Sequence, residues 1–230
     1  MFARGKVLEN CPQCIEVETG AAPSCSVIWL HGLGADGSDF VPIVSELGLP
    51  PALAVRFVFP HAPYRRVTCN GGYEMRAWYD ILSLEPHSRR IDEAGLLESC
   101  ASVRALIERE KGRGVAVDRI FIAGFSQGGA VAYTSALTYP ERLAGVLALS
   151  TYIPAPDYLR QARHVANDCL PVLAAHGVED TVVSPQLGMA ARDLLLEFGH
   201  DIEWREFPIE HSVSLEEVRW IGRWLAARMC

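Results

Sequence analysis

Short apolar runs alternate with helix-like segments along the whole chain, and this alternation constrains the fold more than any other feature. The runs are "CIEVET", "CSVIWL", "VRFVFP", "RIFIAG", "AGVLALS", "PVLAAH" and "IEWREFP". Several of them are apolar at every position, as expected of strands covered on both faces. Between them, residues 39–47, 92–110, 127–139, 185–198 and 215–228 read as helices. Ser184-Pro185 offers an N-cap followed by proline at the first helical position. Ser214 and Glu217 have the spacing of a capping box, ahead of a stripe of Leu215, Val218, Ile221 and Leu225 at helical intervals. Trp220 and Trp224 are expected to pack this last helix onto the sheet. The order of elements predicts an α/β domain with a mostly parallel sheet.

The length of 230 residues suits one such domain, and half the residues are hydrophobic. No apolar run reaches the roughly 18–20 residues of a membrane span. The start "MFARGKVLENCPQC" lacks the apolar core of a signal peptide, so a cytoplasmic protein is expected. A net charge of −7 argues against nucleic acid as a partner. The short "SRR" at 88–90 reads as a solvated loop. The seven cysteines are scattered and do not form a disulfide framework. "CPQC" at 11–14 lacks the second pair a zinc ribbon needs. It precedes a strand rather than a helix, unlike a thioredoxin-type site, so two reduced cysteines are expected.

"GFSQG", residues 124–128, is a G-x-S-x-G pattern. Alone it is short enough to occur by chance in an ordinary loop. Here it lies between the strand "RIFIAG" and a helix closed by Pro140, the setting in which glycines permit a tight turn and expose a serine. A serine hydroxyl is a weak nucleophile and needs a base. Of seven histidines, His164 and His200 lie in or beside helical segments and His87 in a probable loop; they read as surface residues. His31 and His61 follow strands but precede the serine, and His31 begins a glycine-rich turn. His211 follows "IEWREFP", at the strand end where parallel-sheet enzymes gather catalytic groups. Asp180, in "AAHGVEDTVVS" just beyond a buried strand, is the best-placed acid; Asp157 and Asp168 follow no strong strand. The order Ser126, Asp180, His211 is that of α/β-hydrolases. His176 would then steady the loop that carries Asp180.

"WLHGLGADGSDF" lacks both the Lys-Ser/Thr ending of a P-loop and G-x-G-x-x-G spacing. In hydrolases a loop at this place donates one N–H to the oxyanion, and the residue after the nucleophile, here Gln127, donates the second.

Together "HGLGADG", "FPHAP", "RAWYDI", "GFSQGGA" and "HGVEDTVV", with His211 in "EHSVS", resemble the acyl-protein thioesterase and carboxylesterase family of α/β-hydrolases, some also described as lysophospholipases. The resemblance spans about residues 13–227. It implies a single α/β-hydrolase domain over residues 13–230, helices on both faces of the sheet and no large inserted cap, with residues 1–12 an extension of unassigned role. It implies Ser126 as nucleophile, His211 as base, Asp180 as orienting acid, and the backbone of Leu33 and Gln127 as oxyanion donors. The family stretch usually reads "WFD"; Trp78-Tyr79-Asp80 departs from it by one aromatic residue, with a consequence expected for the pocket.

"WYDILSLEP" and "STYIPAP" are read either as loops tucked against the core or as walls of an acyl pocket. The second reading proposes Trp78, Ile81, Leu82, Tyr152 and Ile153 as pocket residues, with Val183 from the acid loop. The expected activity is hydrolysis of short- to medium-chain acyl esters, with thioesters and lysophospholipids as related substrates and a small-molecule acyl ester as partner. No metal and no cofactor are implied, and a homodimer is compatible with the sequence. The alternatives are a non-catalytic binding module, which should have lost a triad member; a thiol-nucleophile lactone hydrolase, which should carry Cys at the elbow; and a redox or metal protein working through "CPQC".

Overall fold

The computed structural model describes residues 11–85 and 88–229. Residues 1–10, His87 and Cys230, each named above, lie outside the described residues. All seven predicted strands enter one sheet: β1 (Cys14–Glu18), β2 (Cys25–Leu30), β3 (Val55–Pro60), β8 (Ile120–Phe125), β9 (Gly145–Leu149), β10 (Val172–Gly177) and β11 (Ile202–Phe207), ordered β1-β3-β2-β8-β9-β10-β11. Only β1 is antiparallel, pairing with β3; the other five pairings are parallel.

Alternation explains why the inner strands are mostly apolar. Val27 and Trp29 of β2, Phe121 and Ala123 of β8, and Leu147 and Leu149 of β9 face one cluster. That cluster is closed by α1 (Ile43–Glu46) and α6 (Leu215–Met229). Ile28, Leu30, Ile120, Ile122 and Val146 face the other, under α2 (Glu93–Gly112), α3 (Gln127–Thr138), α4 (Pro156–Ala162) and α5 (Pro185–Glu197). Both faces are therefore wet only at their rims, and the polar residues on these strands are few and partnered, as Ser26 of β2 is by Glu110. Trp224 packs edge-on against Phe121, and Trp220 tilts onto Phe207, docking α6 as expected.

Several local expectations need revision. The segment 39–47 is mostly turns, with α-helix only at Ile43–Glu46. The helix α4, led by Pro156 at its first position, was missed because its seven residues are too few to show a periodic stripe. Two hairpins also escaped the sequence: β4 (Tyr64–Val67) with β5 (Tyr73–Arg76), and β6 (Ile81–Glu85) with β7 (Ser88–Ile91). The second contains "ILSLE", read above as a loop; its pairing shifts register between Ile81 and Ser83, so its side chains do not alternate simply. Ser184 occupies the N-cap position of α5, but its hydroxyl bonds Gln186 and caps no backbone N–H. His200 is buried, not a surface residue; burial lowers its pKa, and its Nδ1 lies 3.4 Å from the Leu170 carbonyl. No described helix is long and apolar enough to cross a membrane.

Candidate active site

Ser126 stands between the end of β8 and the first residue of α3, with φ 54° and ψ −122°. That backbone conformation is strained for any residue with a Cβ. Its surroundings enforce it. The Ser126 N–H donates to the Leu149 carbonyl at 2.9 Å, and the Ser126 carbonyl accepts from the Thr151 hydroxyl at 2.6 Å. The flanking glycines allow the close approach: a Cβ on Gly124 would lie 2.3 Å from the Gly128 carbonyl oxygen, and one on Gly128 would lie 2.4 Å from that of Leu30. The G-x-S-x-G pattern is thus a packing requirement of helix against strand.

His211 comes from the loop between β11 and α6. Its Nδ1 is 2.7 Å from Asp180 Oδ2, and its Nε2 is 2.9 Å from Ser126 Oγ. A carboxylate only accepts, so Nδ1 carries the proton and Nε2 is left to accept the serine O–H. The imidazole leans on the Phe125 ring at 4.7 Å between centroids. The loops carrying His211 and Asp180 are sewn together: Val178 N–H donates to Phe207 O and Glu179 N–H to Ile209 O.

Asp180 is fully buried. Its Oδ1 accepts from the Val182 and Val183 N–H groups at 2.9 and 2.8 Å. Burial by itself would raise its pKa, but the close approach of His176 and the hydrogen bonds from His211 and Val183 outweigh it. The carboxyl is held well below the usual range. His176 Nε2 donates to the Val183 carbonyl at 2.8 Å and lies 3.5 Å from Asp180 Oδ2, which places it as a brace of the acid loop.

The other histidines have separate tasks. His31 Nδ1 donates to the Gly32 carbonyl at 2.7 Å, and its Nε2 accepts the Ala62 N–H at 3.0 Å. Burial lowers its pKa, so it is a neutral strut. His61 Nδ1 accepts the Gly37 N–H at 3.0 Å. Both pin the glycine-rich loop after β2, which presents Leu33 beside Ser126. Gln127, first residue of α3, has a backbone N–H with no intrahelical acceptor. Its buried side chain accepts from the Trp78 N–H at 2.8 Å and donates to the Tyr79 carbonyl at 2.7 Å. This clamp was not read from the sequence, although a glutamine in a run of small and apolar helix residues is a usable signal.

A cavity of about 300 Å³ opens over Ser126. Leu33, Gln127, Ile81, Tyr152 and Val183 line it, as does His211. Trp78, Leu82 and Ile153 do not. Trp78 is buried behind the site, its indole N–H donating to the His31 carbonyl at 2.9 Å. Leu82 points outward from the β6–β7 hairpin, where Leu84 takes a place in the wall instead. Ile153 lines a neighbouring cavity. Phe125 and Arg89 are wall residues that sequence reasoning missed. Cys11 and Cys14 are free thiols remote from this site, and burial pushes the Cys14 thiol up to about 11. No group of three or more ligating side chains able to hold a metal occurs among the described residues.

The phospholipase/carboxylesterase family model matches residues 12–229. Acyl-protein thioesterase 1 of Neurospora crassa is 37% identical over 225 residues, covering 91% of this chain and 89% of the relative. Carboxylesterase SOBER1 of Arabidopsis thaliana is 35% identical over 205 residues, covering 88% and 90%. The crystal structure of SOBER1 superposes with a TM-score of 0.84 at 34% identity, over 90% of this chain and 99% of that one. The structure of Zea mays acyl-protein thioesterase 2 does so with 0.83 at 25% identity, over 95% and 100%.

Proposed function

The chain belongs to the phospholipase/carboxylesterase family and is an α/β-hydrolase acting on esters; from that premise we propose that Ser126, His211 and Asp180 are its catalytic triad. The observation that carries this reading is the continuous chain from Ser126 Oγ through His211 to Asp180, at 2.9 and 2.7 Å. His211 Nε2 takes the serine proton as Oγ attacks the acyl carbon. Asp180 holds the ring in the required tautomer and stabilises the imidazolium. The tetrahedral oxyanion accepts from the N–H groups of Leu33 and Gln127, each worth about 2.7–4 kcal/mol in hydrolases of this type. The imidazolium then protonates the leaving alkoxide or thiolate. Water, activated by the same base, attacks the acyl-serine and regenerates the enzyme.

The acyl group lies against Ile81, Leu84, Tyr152 and Val183, and short to medium chains of carboxylic esters and thioesters are the preferred substrates. The relatives named as thioesterases and carboxylesterases favour this class, as does the apolar character of those four residues.

Fluorophosphonate labelling and a panel of p-nitrophenyl esters and acyl thioesters test the reading. Ser126→Ala should abolish covalent labelling while keeping the fold. Asp180→Asn should lower kcat by about 10⁴, because the wrong imidazole nitrogen then faces the serine; Asp168→Asn should stay within a few-fold of wild type. A labelled Ser126→Ala protein, or equal losses at Asp168 and Asp180, overturns the triad.

A further inference from the structure

Behind the cavity at Ser126 lies a second one, also about 300 Å³, between the loop after β9 and helix α5. Its walls are mainly hydrocarbon: Ile153, Pro154, Pro156, Leu187, Ala191 and Leu194. Two residues belong to both cavities, Arg89 and Tyr152.

We propose that Arg89 and Tyr152 form a partition that sets the upper limit of acyl-chain length, closing the active-site cavity off from an apolar chamber able to hold the distal carbons of a longer chain. The proposal rests on the reading of the Ser126 cavity as the acyl pocket.

The pair is held as a wall. Arg89, on β7, reaches across to the acid loop, where its Nη2 donates to the Val182 carbonyl. Its guanidinium lies over the Tyr152 ring, 5.2 Å from the centroid. The Tyr152 hydroxyl is in turn 2.9 Å from that of Tyr79, and both tyrosines are buried. A phenylalanine at position 79 would leave the Tyr152 hydroxyl without this partner.

The chemistry of the wall opposes an acyl chain. Arg89 forms no ion pair with a carboxylate among the described residues, and its buried Nε has no partner there. A methylene pressed against that cation would strip it of solvent without giving it a hydrogen bond, which is unfavourable. Beyond the wall, Ile153, Leu187 and Leu194 would reward each added methylene in the ordinary way. The limit on length is therefore set by two side chains and not by lack of space.

The test is a series of p-nitrophenyl esters from butyrate to tetradecanoate, with kcat/KM measured for wild type, Arg89→Ala, Tyr79→Phe and the double variant Arg89→Ala/Ala191→Leu. Thermal melting and fluorophosphonate labelling establish that each is folded. Wild type should rise with chain length and then level off. Arg89→Ala should keep rising past that point, so that the tetradecanoate-to-octanoate ratio grows by about tenfold or more. Tyr79→Phe, which removes a single hydroxyl, should shift the ratio in the same direction by a smaller factor. Ala191→Leu, filling the second chamber, should return the ratio of Arg89→Ala towards wild type. If folded Arg89→Ala and Tyr79→Phe both level off where wild type does, the partition is wrong while the acyl pocket stands. A wild-type profile flat from butyrate onward overturns the acyl pocket itself.

Discussion

At the scale of single residues, Ser126 shows how a site stores strain. Its φ of 54° and ψ of −122° would cost a residue with a Cβ about 1–3 kcal/mol, held in place by the bonds to Leu149 and Thr151. Glycine meets no such cost. Ser126→Gly should therefore be at least as stable as Ser126→Ala in urea unfolding, reversing the usual order of the two residues; a clearly less stable Ser126→Gly would show that the turn is relaxed. The meeting of Ser126, Asp180 and His211 was foreseen from residue type, neighbouring glycines and place after a strand, which are properties of the chain alone. The bracing residues were less so. His31 and His61 were recognised as misplaced for a base, but their work as struts appears only once Gly37 and Ala62 are beside them. Thr151 carried no signal, and the Gln127 side chain only that of a polar residue in an apolar run, since their partners are backbone groups distant in sequence.

At the scale of elements, helix α6 combines an expectation met with a complication. Ser214 Oγ accepts the Glu217 N–H at 3.1 Å, as a capping box requires. Glu217, however, is buried, and its Oε1 has no partner among the described residues. Burial pushes its carboxyl from 4.5 up to about 7, against the smaller opposing effect of the Ser214 backbone N–H. A raised carboxyl pKa means the folded state binds the proton more tightly than the unfolded chain. Stability from this group is thus complete below about pH 4.5, falls as pH rises, and is lost above about pH 7, a change of roughly 3 kcal/mol. Glu217→Gln should remove that dependence: the gap in unfolding free energy between pH 5 and pH 8 should narrow, mostly through a gain at pH 8. An unchanged gap would mean that Glu217 is not the group responsible. Strands and long helices were legible to within one or two residues because their apolar patterns are periodic. The hairpins of residues 64–76 and 81–91 were not, since exposed alternation over four or five residues is also what a loop shows.

At the scale of the whole molecule, the two ends of the sheet do different work. Ser126, Asp180 and His211 sit beyond the C-terminal ends of β8, β10 and β11. Near the starts of β2 and β3, Glu110 of α2 is wholly buried, accepting from Ser26 at 2.7 Å and Arg56 at 2.8 Å, with Arg113 at 3.1 Å. Burial would raise its pKa, but the Arg56 and Ser26 hydrogen bonds together with the nearby arginines lower it. Glu110→Ala would strand Arg56 and Ser26 and should cost about 3–5 kcal/mol of stability. Because the break lies at the opposite end of the sheet, kcat for an ester substrate should stay near wild type below the melting transition. A large fall in kcat with little loss of stability would show that the two ends are coupled.

The amino-acid sequence alone determined the α/β class, the seven strands of the main sheet, the family resemblance and the order of Ser126, Asp180 and His211. These follow from local chemistry: apolar periodicity, glycine where a Cβ cannot fit, and acid or base just past a strand. Tertiary structure alone decided which apolar residues line the cavity at Ser126. Ile81 and Leu82 are adjacent and equally hydrophobic, yet Ile81 lines the cavity with Leu84 while Leu82 faces out, a split that the register shift between Ile81 and Ser83 permits and simple alternation does not. It also decided that Arg89, read as part of a solvated "SRR", reaches Val182 and Tyr152 across the chain. Such a contact spans more than sixty residues of sequence, and nothing in a side chain's identity records which distant surface the fold will bring to it.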